Sequence, residues 1–343
     1  MRRAVKHVEL HRIGTTELRV VSDVDMGETA IVQAEEAVIR EYMRRNIWPH
    51  RQVSLFILND LQPLIRQVAS SALPSGGSAA LETRTVINLY DLANPRACHV
   101  FVNQQMMLKE GYWDDMLAVR GLLAHEHAHP LSENASTQAS RGLSVDLALD
   151  EKPTEQHVRM EGILAGLAEQ LCITAPREIF TNLLAITSGF DQAMLHLNQR
   201  NVANACKSLA GRIKLRELLA QEVAQGNRSA DTVGQLMLVG DLEGYAGLAM
   251  ELAPFDRSGH ADAASALADV LERELFPYLE PQFAPLFTAI RQRYAELSAN
   301  LSLADLGAWS QQMADSIVAA VRDQGMVVRC VVRSEGQERK TLP

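Results

Sequence analysis

Several features that mark common classes of protein are scarce in this chain of 343 residues. Its only cysteines, Cys98, Cys172, Cys206 and Cys330, are widely scattered and form no CxxC pair. The sequence therefore predicts neither a disulfide framework nor a cysteine-rich zinc site. Buried free thiols are the expected state of these side chains.

Positive charge is also scarce. The chain has 33 Lys and Arg residues against 42 Asp and Glu residues, which gives a formal net charge of -9. Proteins that bind nucleic acids usually carry basic stripes and aromatic platforms, and aromatic residues make up only 5% of this chain. We therefore expect no nucleic-acid partner.

Long apolar runs are missing, and none approaches the length of a membrane-spanning helix. The basic start, Met1 to Leu10, lacks the continuous apolar core of a signal peptide. The expected location is therefore cytoplasmic, with no membrane partner. No fixed repeat period emerges either, and the share of hydrophobic residues, 47%, is typical of a globular protein.

The most informative stretch that is present is His125-Glu126-His127-Ala128-His129, which has the pattern HExxH. The apolar segment from Met116 to Ala124 predicts a helix that is capped by Asp114 or Asp115. At 100° per residue, His125 and His129 lie about 40° apart on that helix, and Glu126 lies about 60° beyond His129. Two imidazoles and one carboxylate thus share a face, which is half of a zinc site with its own general base.

The neighbours of this face are predicted by the same geometry. His127 points to the far side of the helix, so we expect it to pack or to meet solvent rather than bind the same metal ion. Pro130 cannot donate a hydrogen bond to the carbonyl group of Glu126, and its ring crowds that turn. We therefore expect the helix to stop or to kink at Pro130.

The motif, its apolar helix and a strand predicted from Ala97 to Asn103 together resemble the zincin metallopeptidases, and more narrowly the gluzincins. The likeness covers about residues 97 to 172. It implies that His125 and His129 bind Zn²⁺ and that Glu126 is the general base. It also implies that a zinc-bound water, activated by Glu126, hydrolyses a peptide bond of a protein or peptide substrate.

In gluzincins a glutamate on a later helix completes the metal site, and Glu161 is our first choice for that ligand. It lies on a helix predicted from Pro153 or Thr154 to Leu171, where small residues such as Gly162 and Gly166 suggest a close approach of two helix backbones. The other candidates remain open, namely Glu133, Glu155, His157 and Glu169. His157 shares the face of Glu161, and we predict a catalytic role for it, either as an oxyanion stabiliser or as a hydrogen-bond donor to a metal ligand, with a surface histidine as the alternative. Arg159 and Tyr245 are further candidates for the oxyanion stabiliser.

The remaining pattern predicts an α+β fold: a small mixed sheet with the HExxH helix, followed by a mostly helical C-terminal half. We predict four parts: a mixed α/β part with a sheet edge strand (1–112), the zinc-binding helices (113–175), a helical bundle (176–325), and a terminal strand and tail (326–343). Strands are predicted near Leu18 to Val24, Val53 to Leu58, Thr85 to Tyr90 and Met326 to Arg333. In the N-terminal part, helices are predicted at Thr29 to Arg45 and Leu61 to Leu73, with a loop at 74 to 82.

The predicted function is zinc-dependent hydrolysis of peptide bonds. The alternative is a scaffold or regulatory protein without proteolytic activity, in which HExxH is a structural or vestigial metal site. The presence of Glu126 favours the enzyme, because a structural zinc site needs no general base.

Overall fold

The computed structural model describes residues 7–25, 27–62, 83–149 and 154–334. The loop predicted at 74 to 82 lies outside these ranges, as does almost all of the helix predicted from Leu61 to Leu73. The chain forms two compact units. Unit 1 comprises residues 1–132 and 184–197, and unit 2 comprises residues 133–183 and 198–343.

Unit 1 contains a mixed sheet whose described strands follow the order β1-β2-β3-β5-β4. The strands are β1 (His7–Ile13), β2 (Thr16–Ser22), β3 (Gln52–Leu58), β4 (Val86–Tyr90) and β5 (Ala97–Asn103). β1 and β2 form an antiparallel hairpin, β2, β3 and β5 are parallel, and β4 runs antiparallel to β5 at the edge. The predicted small mixed sheet is confirmed, whereas β1 was not foreseen.

One face of this sheet is buried beneath helices. Helix α1 (Glu28–Arg44) links β2 to β3, α2 (Gln104–Glu110) follows β5, and α3 (Met116–Ala128) carries the motif. α3 packs against α1 and β4, and the hydroxyl of Tyr42 on α1 donates to the carbonyl of Ala124 at 2.8 Å. Alternate strand residues form the core below, namely Leu18, Val20, Val53, Leu55, Ile57, Val100 and Val102.

Both ends of α3 lie where the sequence predicts them. The side chain of Asp115 accepts the backbone N–H of Ala118 at 3.2 Å, so Asp115 rather than Asp114 caps the helix. The α-helix ends at Ala128, and Pro130 lies in a 3₁₀ turn, His129–Leu131. His129 keeps right-handed helical φ and ψ angles, -50° and -56°, so the spacing of the two motif histidines is still helical.

Unit 2 is mostly helical. Its small sheet is an antiparallel pair of β6 (Leu143–Leu149), which the sequence pattern did not predict, and β7 (Val328–Ser334), the predicted terminal strand. Two further helices, α6 (Ala175–Ala185) and α7 (Asp191–Ala224), contribute residues to both units. The other helices are α4 (Ala135–Ser140), α5 (Glu155–Glu169), α8 (Ala230–Tyr245), α9 (Leu248–Arg257), α10 (Ala261–Glu274), α11 (Phe283–Glu296) and α12 (Leu303–Arg322). Across the described ranges, no helix combines the length and the apolar character needed to cross a membrane.

The glycines of α5 do not allow the close approach of two helix backbones that the sequence suggests. A Cβ atom added at Gly162 or Gly166 would meet no described atom within 4 Å, so neither glycine brings two helix backbones together. Gly121 on α3 does, because its Cβ would lie 2.8 Å from the carbonyl oxygen of Ala193 in unit 1. The close approach predicted for the Glu161 helix is therefore found on the HExxH helix instead.

These two kinds of helical glycine predict opposite effects of the same substitution. Gly121→Ala is expected to lower the free energy of unfolding by about 1–3 kcal/mol, because the methyl group overlaps a fixed backbone carbonyl. Gly166→Ala is expected to raise it by about 0.5–1 kcal/mol, because alanine has the better helix propensity and the added methyl meets open space. Urea denaturation of both variants measures the two changes, and equal effects would exclude a close approach at Gly121.

Candidate metal centre

His125, near the end of α3, and His129, the residue that caps α3, lie side by side on one face. Their ring centroids are 4.6 Å apart, and the ring planes are inclined at 79°. His129 is buried and His125 is half-buried. The sequence prediction that the two imidazoles share a face is therefore confirmed.

Glu126 is held by the edge strand of the sheet. Its carboxylate oxygen Oε2 accepts the backbone N–H of Asn88 on β4 at 3.0 Å, and the side chain is only 7% exposed. The side-chain amide of Asn88 donates to the backbone carbonyl of Glu126, also at 3.0 Å. Because Pro130 offers that carbonyl no helical donor, Asn88 supplies the missing hydrogen bond. β4 thereby fixes both the backbone and the carboxylate of Glu126.

His127 points away from this face and is fully buried. Its Nε2 donates to Oε1 of Glu35 on α1 at 2.7 Å, and Glu35 is fully buried as well. Burial opposes the charged form of His127, but the Glu35 carboxylate and the Cys98 thiol outweigh burial and raise the pKa of His127 to about 10. Of the two expectations for His127, packing is correct and contact with solvent is wrong.

His50 and Cys98 complete a buried group around His127. One potential ligand atom from each of the three residues lies within 4.8 Å of the others. His50 donates through Nδ1 to the carbonyl of Pro95 at 2.6 Å, and burial, followed by repulsion from His127, lowers the pKa of His50 to about 4. Sequence reasoning missed this group. Its members come from the loop before β3, from β5 and from the far side of α3, and no local pattern connects them.

The two other predicted site residues lie in unit 2. Glu161 accepts the backbone N–H of Leu149 through Oε2 at 2.9 Å, which ties α5 to β6. His157 lies in the first turn of α5, where its backbone N–H donates to the hydroxyl of Thr154 at 3.2 Å. Neither residue belongs to a group of potential metal ligands in the described part of the chain.

A polar face on α6 also escaped the sequence analysis. Glu178, Thr181 and Asn182 are spaced at i, i+3 and i+4, and therefore share one side of the helix. Thr181 and Asn182 are buried, and Glu178 is half-buried. In the sequence, the signal for this face was a set of polar residues at helical spacing within a helix that also carries apolar residues.

The part of the motif on α3 thus unites two adjacent imidazoles, which are ligands suited to zinc, with a carboxylate oriented from the sheet edge. Such a set can bind a metal ion and move a proton beside it. Comparison of the chain with protein-family models, curated proteins and solved structures gives no match.

Proposed function

We propose that this protein is a zinc-dependent metallopeptidase that acts on a protein or peptide substrate in the cytoplasm. Two facts about Glu126 carry the proposal: in the sequence it lies between the two adjacent histidines, and its carboxylate is held by the edge strand β4. A structural metal site needs ligands such as imidazoles but no general base. A carboxylate that is anchored next to them by the backbone of an edge strand favours a catalytic site.

The residues of the chain have distinct parts in this proposal. His125 and His129 hold the metal ion. When bound, zinc acts as a Lewis acid that polarises a carbonyl group and lowers the pKa of a neighbouring water. Glu126 accepts the proton of the attacking water at its carboxylate and passes it to the amine that leaves. Asn88 keeps the carboxylate in place through its backbone N–H.

The preference for a peptide substrate rests on β4. In the described part of the chain this strand has a neighbour on one side only, β5. An extended peptide adds to such an edge through main-chain hydrogen bonds, independently of its side chains. Since the N–H of Asn88 points away from β5 and towards Glu126, a peptide beside β4 would lie close to the general base.

For the third ligand we propose Glu161, the residue chosen from the sequence. One oxygen of its carboxylate, Oε2, accepts the backbone N–H of Leu149 at 2.9 Å. The other oxygen could bind the metal ion.

Removal of the Glu161 carboxylate tests this ligand. The zinc bound at the motif is the amount of metal that His129→Ala loses relative to wild type, when both are prepared without chelators. Glu161→Gln is expected to weaken the binding of that zinc by more than roughly 100-fold, because even partners outside the ligand set contribute 10–100-fold to affinity. Full retention of the zinc in Glu161→Gln would exclude Glu161 as the third ligand.

The peptidase itself is tested with a peptide library. Wild type is expected to cleave some members, to lose this activity when a chelator removes zinc, and to regain it when zinc is returned. His129→Ala should cleave none of them. Zinc bound at the motif without any cleavage that depends on it would favour the scaffold. Wild type without zinc would exclude both the peptidase and a structural zinc site at the motif.

A further inference from the structure

The far side of α3 carries a second group of potential metal ligands, formed entirely within unit 1 by His50, Cys98 and His127. All three side chains are buried, with exposures of 1%, 1% and 0%. The group is separate from the HExxH face, since His127 projects opposite to His125 and His129 on the same helix.

Each histidine of this group has one nitrogen that is already oriented. The carbonyl of Pro95 can only accept a hydrogen bond, so the Nδ1 atom of His50 carries its proton and Nε2 presents a lone pair. Likewise, the Nε2 atom of His127 donates to the carboxylate of Glu35, which leaves Nδ1 as the potential ligand atom. Histidines that bind metals almost always donate their other N–H to a carboxylate or a backbone carbonyl.

The remaining nitrogens are buried, and neither has a hydrogen-bond partner of normal geometry among the described residues. Nε2 of His50 and Nδ1 of His127 are both in this state, and so is the second carboxylate oxygen of Glu35. Buried polar atoms are normally satisfied, so their occurrence together in one small group calls for an explanation. The ring of Trp48 packs edge-on against both imidazoles, with centroid distances of 4.7 and 4.9 Å, and holds their orientation.

We propose that His50, Cys98 and His127 bind a zinc ion through Nε2, Sγ and Nδ1, with Glu35 as the acceptor that orients His127. Two imidazoles and one thiolate are ligands that zinc accepts in proteins. Ligand atoms around a tetrahedral zinc ion are roughly 3.5 Å apart, so the group needs only a small contraction from its present spacing. The fourth position is left to a small molecule such as water.

Charge balance supports a divalent ion. On binding, Cys98 gives up its thiol proton and His127 gives up the proton on Nδ1, so two protons pass to solvent and His127 binds through a neutral ring. The two positive charges of zinc are then matched by the Cys98 thiolate and the Glu35 carboxylate, and the buried site has no net charge. This ion would join the loop before β3, strand β5 and α3, and thereby brace the helix that presents the HExxH motif.

Cobalt substitution tests this site separately from the proposed peptidase. Thiolate ligation to Co²⁺ gives an intense near-ultraviolet charge-transfer band, and the HExxH site contains no sulfur. The full chain loaded with Co²⁺ is expected to show the band, and His129→Ala is expected to keep it. Cys98→Ser should lose the band together with one equivalent of metal per chain, whereas Cys330→Ser, the matched change at another buried cysteine, should keep both.

His50→Gln provides a second measurement that preserves the thiol. It is expected to weaken Co²⁺ binding at the thiolate site by at least about tenfold, while Cys330→Ser leaves the affinity unchanged. Absence of the band in folded wild type would overturn the proposal, and so would a band that persists in Cys98→Ser. Either result would mean that the group is a metal-free ion pair of Glu35 and His127 beside a free thiol of Cys98. This conclusion does not depend on whether the peptide library is cleaved.

Discussion

Glu126→Gln is expected to lower kcat/KM for any peptide that the wild type cleaves by roughly 10²–10⁴-fold, the usual contribution of a general acid or base. Glutamine has the length of glutamate and keeps an oxygen that can accept the N–H of Asn88. It cannot take a proton from water. The loss should therefore appear in kcat, while the zinc content stays at the wild-type level.

The matched control is Glu17→Gln, the same change at an exposed carboxylate on β2. It is expected to leave the rate unchanged. A Glu126→Gln variant that retains zinc and cleaves at the wild-type rate would exclude Glu126 as the base. Loss of zinc together with activity would instead show that Glu126 supports the metal ion.

The local part of the candidate site could be predicted because it depends on short-range geometry alone. Helical phase separates His127 from His125 and His129, and a proline ring ends the α-helix after Ala128. A cap and an apolar run predict where α3 begins. None of these arguments needs any knowledge of the rest of the fold.

The distant partners could not be predicted in this way. Asn88, which holds Glu126, comes from a strand whose position at the sheet edge depends on the pairing order of five strands. The close helix approach expected at Gly162 and Gly166 is found at Gly121 instead. Pairing order and helix packing are long-range properties, and a single sequence contains no direct record of them.

The same limit applies to the two faces of α3. From the sequence, His127 was simply the histidine that does not point towards the metal ion. In the fold, His127 contacts Glu35, which lies far earlier in the sequence, and it approaches Cys98 on β5. Helical phase turns His127 away from His125 and His129, and it becomes the centre of the buried group with His50 and Cys98 because the far face of the helix meets the sheet.

The pair of Glu35 and His127 predicts the largest change in stability. Both side chains are fully buried, and Nε2 of His127 donates to Oε1 of Glu35 at 2.7 Å. Glu35→Ala leaves His127 in the core without its counter-ion, so we expect the free energy of unfolding of the metal-free protein to fall by about 3–5 kcal/mol. Urea denaturation in the presence of a chelator measures this change without any contribution from a bound metal ion.

Glu36 offers a control at the next position of the same helix. It pairs with Arg40 and His11 nearer the surface, and Glu36→Ala is expected to cost at most about 1 kcal/mol. The double variant Glu35→Leu and His127→Leu should recover most of the loss, because two apolar side chains leave no buried charge without a partner. A double variant as unstable as Glu35→Ala would show that packing, rather than the unpaired charge, determines the cost. Equal losses in Glu35→Ala and Glu36→Ala would show that the buried pair adds no more stability than a surface one.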